Sequence, residues 1–229
     1  MELKALLLKF RKDVSDQARP YLWDEDELLQ FAIDAQDMYV RLTGGIDDAS
    51  TPDITDIPVI AGDVLAAHSP YILRIKSAKL VTARRSLAIV NEKDIAQLTY
   101  SDYGLQRTEH LHDEDTGEVE AIVLGVEKNK VRWFKVPPST ADTDTCRLNV
   151  RRLPYPRITS EESCLEIDEQ HHYHLMKWMK HLAYGKEDAE TYDRDLSESN
   201  KEAFEQYCKS GDENKQRYRP GIVAYGGIG

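Results

Sequence analysis

The stretch WDEDELLQFAIDAQDMYVRLTGG, residues 23–45, decides how the N-terminal part of the chain reads. Asp24 stands at a helix N-cap position and Glu27 three places on. Asp24 is expected to accept from the free N–H groups of the first turn, with Glu27 reaching back to the cap N–H. Trp23 is placed to pack on Leu28 as a hydrophobic staple, and Asp24 to Glu27 complement the positive end of the helix dipole. Leu28, Phe31, Ala32, Ala35, Met38, Tyr39 and Leu42 then recur on one side of a helix, which Gly44 and Gly45 end. Upstream, Leu3, Leu6, Leu7, Phe10 and Val14 predict an amphipathic helix over residues 3–17, stopped by Pro20. Two helices joined by a short proline-containing loop predict an antiparallel hairpin.

The period changes downstream. Residues 46–70 are an irregular acidic stretch with Pro52, Pro58 and Pro70, in which Ile57 to Ile60 can make a short edge strand. Tyr71, Leu73 and Ile75 alternate with Ile72, Arg74 and Lys76, as in a half-buried strand. Ser86 to Val90 is a second strand after a turn at Thr82 to Arg85, and Asn91 to Thr99 reads as a short capped helix. Residues 101–118 are polar and loop-like. Glu118 to Val126 and Lys130 to Val136 read as a hairpin closed by Pro137 and Pro138, and Cys146 to Leu153 as a strand with Leu148 and Val150 inward. The helical period returns at Glu169, with Leu175, Trp178, Met179 and Leu182 on one stripe and a break at Gly185. A last helix over Asp188 to Cys208 uses Ala189, Tyr192, Leu196, Ala203, Phe204 and Tyr207 for packing. These elements predict an α+β chain. An N-terminal helical hairpin (1–45) and C-terminal helices (159–214) pack together, a small, mostly antiparallel β domain (46–158) is inserted between them, and an extended arm (215–229) follows.

Composition narrows the function. Hydrophobic residues are 41% of 229, a little low for one tightly buried core, which favours an extended shape or surface that partners cover. No window approaches the length of apolar sequence that spans a bilayer, so no membrane association is expected. The first ten residues lack a continuous apolar core and a cleavage site, and read as helix and not as a signal peptide. Cys146, Cys164 and Cys208 make no ligand pair and no disulfide framework, which points to a reducing compartment.

Charge is uneven. The net charge is −11, and residues 20–63 hold eleven acidic residues against one base, Arg41. Arg74, Lys76, Lys79, Arg84 and Arg85 lie in a run without acids, and Arg147, Arg151, Arg152 and Arg157 in another. Such segregation serves solubility as solvated faces. It also suits a self-associating subunit whose acidic face, with Asp24, Glu25, Asp34 and Asp37, meets the basic face of the next copy.

Sites for chemistry are sparse. His171, His174 and His181, with Glu169 nearby, share a helix side on which a zinc enzyme is conceivable, but no HExxH and no cysteine at ligand spacing accompany them. His110, His112, Asp113, Glu114 and Asp115 do not match a calcium loop, because Gly117 is two positions after Asp115. Signatures for a serine nucleophile, a P-loop and a dinucleotide fold are absent. No catalytic residue, metal or cofactor is expected. The last fifteen residues hold four glycines and a proline, yet also Arg217, Tyr218, Arg219, Pro220, Ile222, Val223, Tyr225 and Ile228, a composition that suits an extended arm ordering on a partner.

The layout resembles the head-to-tail adaptor (connector) proteins of tailed phages, short-tailed ones in particular. The likeness is carried by PYLWDEDELLQFAIDAQDMY (residues 20–39), and by LMKWMKHLAY (175–184) with KEDAETY (186–192) and Phe204. An arginine-bearing strand ending at Leu153-Pro154 is similar in style. The chain departs in Ile33-Asp34, where the family has an asparagine, and in the acidic insertion around residues 46–63. The resemblance implies a structural virion protein of the head–tail neck, made in the host cytoplasm: a ring, usually of twelve copies, docked beneath the portal protein. It implies contacts with tail, nozzle or tail-fibre proteins, genomic DNA passing through a channel without sequence-specific binding, and a C-terminal arm on the portal. The alternatives are another neck, tail-tube or completion module, and the histidine-based metalloenzyme.

Overall fold

The structure is a computed structural model, described here for residues 2–97, 117–135, 137, 144–187 and 191–217, without the side chains of 95–97 and 211–217. It is α+β, with helices at both ends of the chain and a curled, largely antiparallel sheet between them. Two compact units divide it, residues 1–45 with 154–229, and residues 46–153.

The first unit is helical: α1 (Leu3–Asp13), α2 (Glu25–Leu42), α4 (Glu169–Tyr184) and α5 (Arg194–Arg217), where α3 belongs to the other unit. Helix α4 is central, and α1, α2 and α5 each pack on it. Leu3, Leu6, Leu7 and Phe10 of α1 are buried, as the spacing predicts. The helix stops at Asp13 and not at Pro20. Ser15 takes a left-handed φ of 59°, and buried Arg11 donates from Nη1 to Asp16 Oδ2 at 2.5 Å and to the Trp23 carbonyl at 3.0 Å. Asp16 also accepts from the Leu22 N–H at 2.8 Å, so this side-chain network replaces the helical path.

Asp24 caps α2 by accepting from the Glu27 N–H at 2.7 Å. Glu27 does not reach back: its carboxylate takes Lys186 Nζ at 2.7 Å. Trp23 lies edge-on between Phe10 and Tyr184, with centroids 6.0 and 6.1 Å away. On α4, Leu175, Trp178 and Met179 are buried, and so are His172, Met176 and Ala183. Gly185 is its C-cap, and the site is tight: a Cβ there would sit 2.9 Å from the His181 carbonyl oxygen and 3.1 Å from Ser197 Oγ. Helix α5 starts at Arg194, and its phase buries Ser197, Phe204 and Cys208 against α4. Tyr192 and Leu196 are consequently exposed and not packing positions, and Ala189 lies outside the described residues. The helix continues to Arg217, so residues 215–217 are helical and not extended. Residues 218–229, which hold the rest of the expected arm, lie outside the described residues, as do His110, His112, Asp113, Glu114 and Asp115.

The second unit is an eight-stranded sheet ordered β1-β8-β4-β5-β6-β7-β3, with β2 also paired to β8. The strands are β1 (Ile46–Asp48), β2 (Asp56–Val59), β3 (Leu65–Ala67), β4 (Ile72–Leu80), β5 (Ser86–Asn91), β6 (Ala121–Leu124), β7 (Lys130–Phe134) and β8 (Asp144–Arg152); a single turn of helix, α3 (Pro52–Thr55), precedes β2. The stretch read as irregular thus supplies three strands and α3. The 91–99 segment is a 3₁₀ helix over Glu92–Gln97, with Asn91 Nδ2 donating to Asp94 Oδ2 at 3.2 Å. Among the described residues every strand pairing is antiparallel except β5 with β6. In β4, register shifts between Ile72 and Arg74 and between Ile75 and Ser77 break the simple alternation, and Leu73 ends up exposed. Within the described residues no helix is long and apolar enough to cross a membrane.

Candidate docking surface

Strand β8 sets out the candidate site. Its sequence alternates, so Cys146, Leu148 and Val150 point into the core and Arg147, Asn149 and Arg151 point outward. The inward row continues one step further than an apolar reading allows, to Arg152. Its Nε donates to Asp48 Oδ2 at 2.5 Å, and both side chains are buried. Burial works against the Asp48 charge. Hydrogen bonds from the Ser50 N–H, the Arg152 guanidinium and Thr51 outweigh it and hold the pKa well below the usual carboxylate range. Reading charged runs along the chain missed this pair; the signal was the period-two alternation carried through to residue 152.

On the outer face the strand register builds rows of charge. Arg147 lies opposite Lys79 of β4 and Asp56 of β2, and Arg151 opposite Arg74 of β4 and Asp47 of β1. Asp56 takes Arg147 in a two-pronged contact, Nε and Nη2 each at 2.7 Å, which holds the Asp56 pKa down. Asp47 is shared by Arg151 Nε at 3.2 Å and Lys76 Nζ at 3.3 Å. Five cations (Arg74, Lys76, Lys79, Arg147, Arg151) therefore share the face with two carboxylates (Asp47, Asp56). Among the described residues Arg74 and Lys79 have no ion-pair partner, and the same holds for exposed Arg84, in the turn at φ 53°. Arg85 is engaged: it donates to Glu118 Oε2 at 2.7 Å and to the Val119 carbonyl.

The acidic residues are equally sorted. Asp24 is used as the α2 cap, Asp34 accepts from Gln30 at 3.1 Å, and Asp37 is 3.9 Å from Arg157. Burial raises the Asp37 pKa against the pull of Arg157 and Arg41. Glu25 and Asp26 are exposed. The two basic runs and the acidic segment thus partly neutralise one another inside a single chain.

The histidines serve packing. The His174 ring stacks on Tyr207 with centroids 3.4 Å apart, and His171 Nδ1 is hydrogen-bonded to the same Tyr207 hydroxyl at 2.7 Å. His181 Nδ1 instead meets Ser197 Oγ at 2.8 Å, and buried His172 donates to the Ile167 carbonyl at 2.9 Å. Among the described residues no group of three His, Cys, Asp or Glu is placed to hold a metal ion. Burial lowers the pKa of both His174 and His181, with Lys177 and His171 adding repulsion at the first and Lys201 at the second. The unfolded chain then takes up these protons at a higher pH than the folded one, so stability falls as pH drops below about 6.5. Thermal melts between pH 8 and about pH 5 check this: the melting temperature of the helical unit decreases on acidification, less steeply in His174→Phe. Cys146 and Cys208 are buried and Cys164 is exposed; burial pushes both inner thiols up to about 12.

A family model, the SU10 adaptor protein, matches residues 1–224. The chain belongs to the SU10 adaptor protein family. The match runs through the α1–α2 helices, the whole sheet and the α4–α5 helices, so it covers both units and not one motif. Membership makes the chain a phage adaptor protein with a structural role. No curated protein matches its sequence.

Proposed function

We propose that this adaptor works at the head-to-tail junction of a tailed, short-tailed phage, as a ring of about twelve copies beneath the portal that receives tail components. The family match across both units carries the reading. Two features support it. After the ion pairs within the chain are counted, exposed Arg74 and Lys79 and exposed Glu25 and Asp26 keep no ion-pair partner among the described residues, which suits a repeated head-to-tail contact around a closed ring. A net charge of −11 suits a channel wall from which DNA phosphate is repelled, so that the genome slides through. The arm expected over residues 215–229, its first three residues closing α5, grips the portal through Arg217, Tyr218, Arg219, Pro220, Ile222, Val223, Tyr225 and Ile228.

The test is a mass measurement on the purified full chain, alone and mixed with the portal protein of the same phage, followed by electron microscopy. The expected result is a portal-bound ring whose added mass is a multiple of 26.2 kDa. A chain truncated after Gln216 is expected to lose portal binding. Unchanged binding removes the arm from the proposal, and a full-length chain that never joins the portal overturns the junction itself.

A further inference from the structure

We propose that the outer face of β4 and β8 is the seat for the N-terminal turn of α2 from a second copy of this chain. This deepens the self-association proposed above and rests on it.

The first observation is the crowding of cations. Arg74 faces Arg151 and Lys79 faces Arg147 directly across the β4–β8 ladder. Like charges in directly opposed positions repel. Asp47 and Asp56 relieve the β8 partners, and Lys76 as well, but Arg74 and Lys79 keep no carboxylate among the described residues. A surface with these rows gains from any ligand that brings two carboxylates to β4.

The second observation is the apolar company those cations keep. Leu73 is 40% exposed in the bulge beside Arg74, and Val81 is 39% exposed just past Lys79. A polyphosphate chain such as DNA has nothing to offer these side chains, and Asp47 and Asp56 on the same face repel it. The pattern calls for a peptide surface with carboxylates next to an aliphatic group.

The chain holds such a surface at the start of α2. Leu22 is 51% exposed, and Glu25 and Asp26 beside it are exposed without an ion-pair partner among the described residues. Asp24 and Glu27 on the same turn are already used, by the cap and by Lys186. Leu22 seats against Leu73 or Val81 while Glu25 and Asp26 reach Arg74 and Lys79. Because seat and insert are different patches of one chain, the contact repeats from copy to copy and can close a ring.

Three full-length chains test this: wild type, Arg74→Glu/Lys79→Glu, and Glu25→Lys/Asp26→Lys. Association is read by sedimentation velocity over a concentration series at about 50 and about 300 mM salt, and on the portal if the free chain stays monomeric. Each variant is expected to associate at least about tenfold more weakly than wild type, and added salt to weaken wild type. An equal mixture of the two variants restores association, since each contact between unlike variants again joins opposite charges and the two can alternate along the assembly. Variants that associate as wild type does, or a mixture that recovers nothing, overturn the seat while leaving the ring standing. A wild-type chain that assembles neither alone nor on the portal overturns both. A labelled DNA duplex that binds wild type and not Arg74→Glu/Lys79→Glu assigns the face to phosphate instead.

Discussion

Replacing Arg152 with alanine lowers the unfolding free energy of the 46–153 unit by about 3–5 kcal/mol. The Arg152 and Asp48 side chains are 6% and 4% exposed, so neither charge has water to fall back on. Without the guanidinium, Asp48 keeps its bonds from Ser50 and Thr51 but loses its counter-charge, and the Leu153 carbonyl loses a donor at 3.0 Å. Urea denaturation followed through Trp133, the tryptophan of this unit, measures the loss, with hydrogen exchange of β8 as a second readout. The double change Arg152→Met/Asp48→Leu costs less than the single one, because it strands no charge. A single variant as stable as wild type rules out a buried pair. The pair also sets an acid limit. The folded-state pKa of Asp48 is depressed, so its contribution is present above the unfolded value of 3.8 and is lost as pH falls below it.

Trp23→Ala costs the helical unit about 3–5 kcal/mol. The indole is 1% exposed and meets Phe10 of α1 and Tyr184 at the end of α4 edge to face. The backbone carbonyl of Trp23 also accepts from Arg11, so the ring and the Arg11–Asp16 pair hold the same corner. Its removal opens a cavity where α1, the α2 start and the α4 end converge. Thermal unfolding by circular dichroism checks this, and Trp23→Phe retains most of the stability. An alanine variant that melts with wild type shows that the corner carries no weight.

What the sequence disclosed depended on how far apart the interacting residues lie. The Asp24 cap acts across three residues and reads directly. Glu27 does not, since the partner that claims it, Lys186, lies 159 positions away. The alternation of Cys146, Leu148 and Val150 identified β8 and its inner face. The neighbours of β8 stayed hidden because Asp56 and Asp47 meet Arg147 and Arg151 across 91 and 104 residues. A linear tally therefore saw separate acidic and basic runs where the fold partly cancels them. Local backbone events misled in two places: the bulges of β4, which turn Leu73 outward, and the left-handed Ser15, which ends α1 early. The parallel β5–β6 pairing had no local signal at all, for its strands are joined through residues 92–120.

The three cysteines offer an unplanned handle. Cys146 and Cys208 are sealed in packed interiors with thiols that resist ionisation, while Cys164 faces solvent. A maleimide fluorophore applied to the native chain therefore attaches once per polypeptide. Stepwise photobleaching of single particles then counts the copies directly.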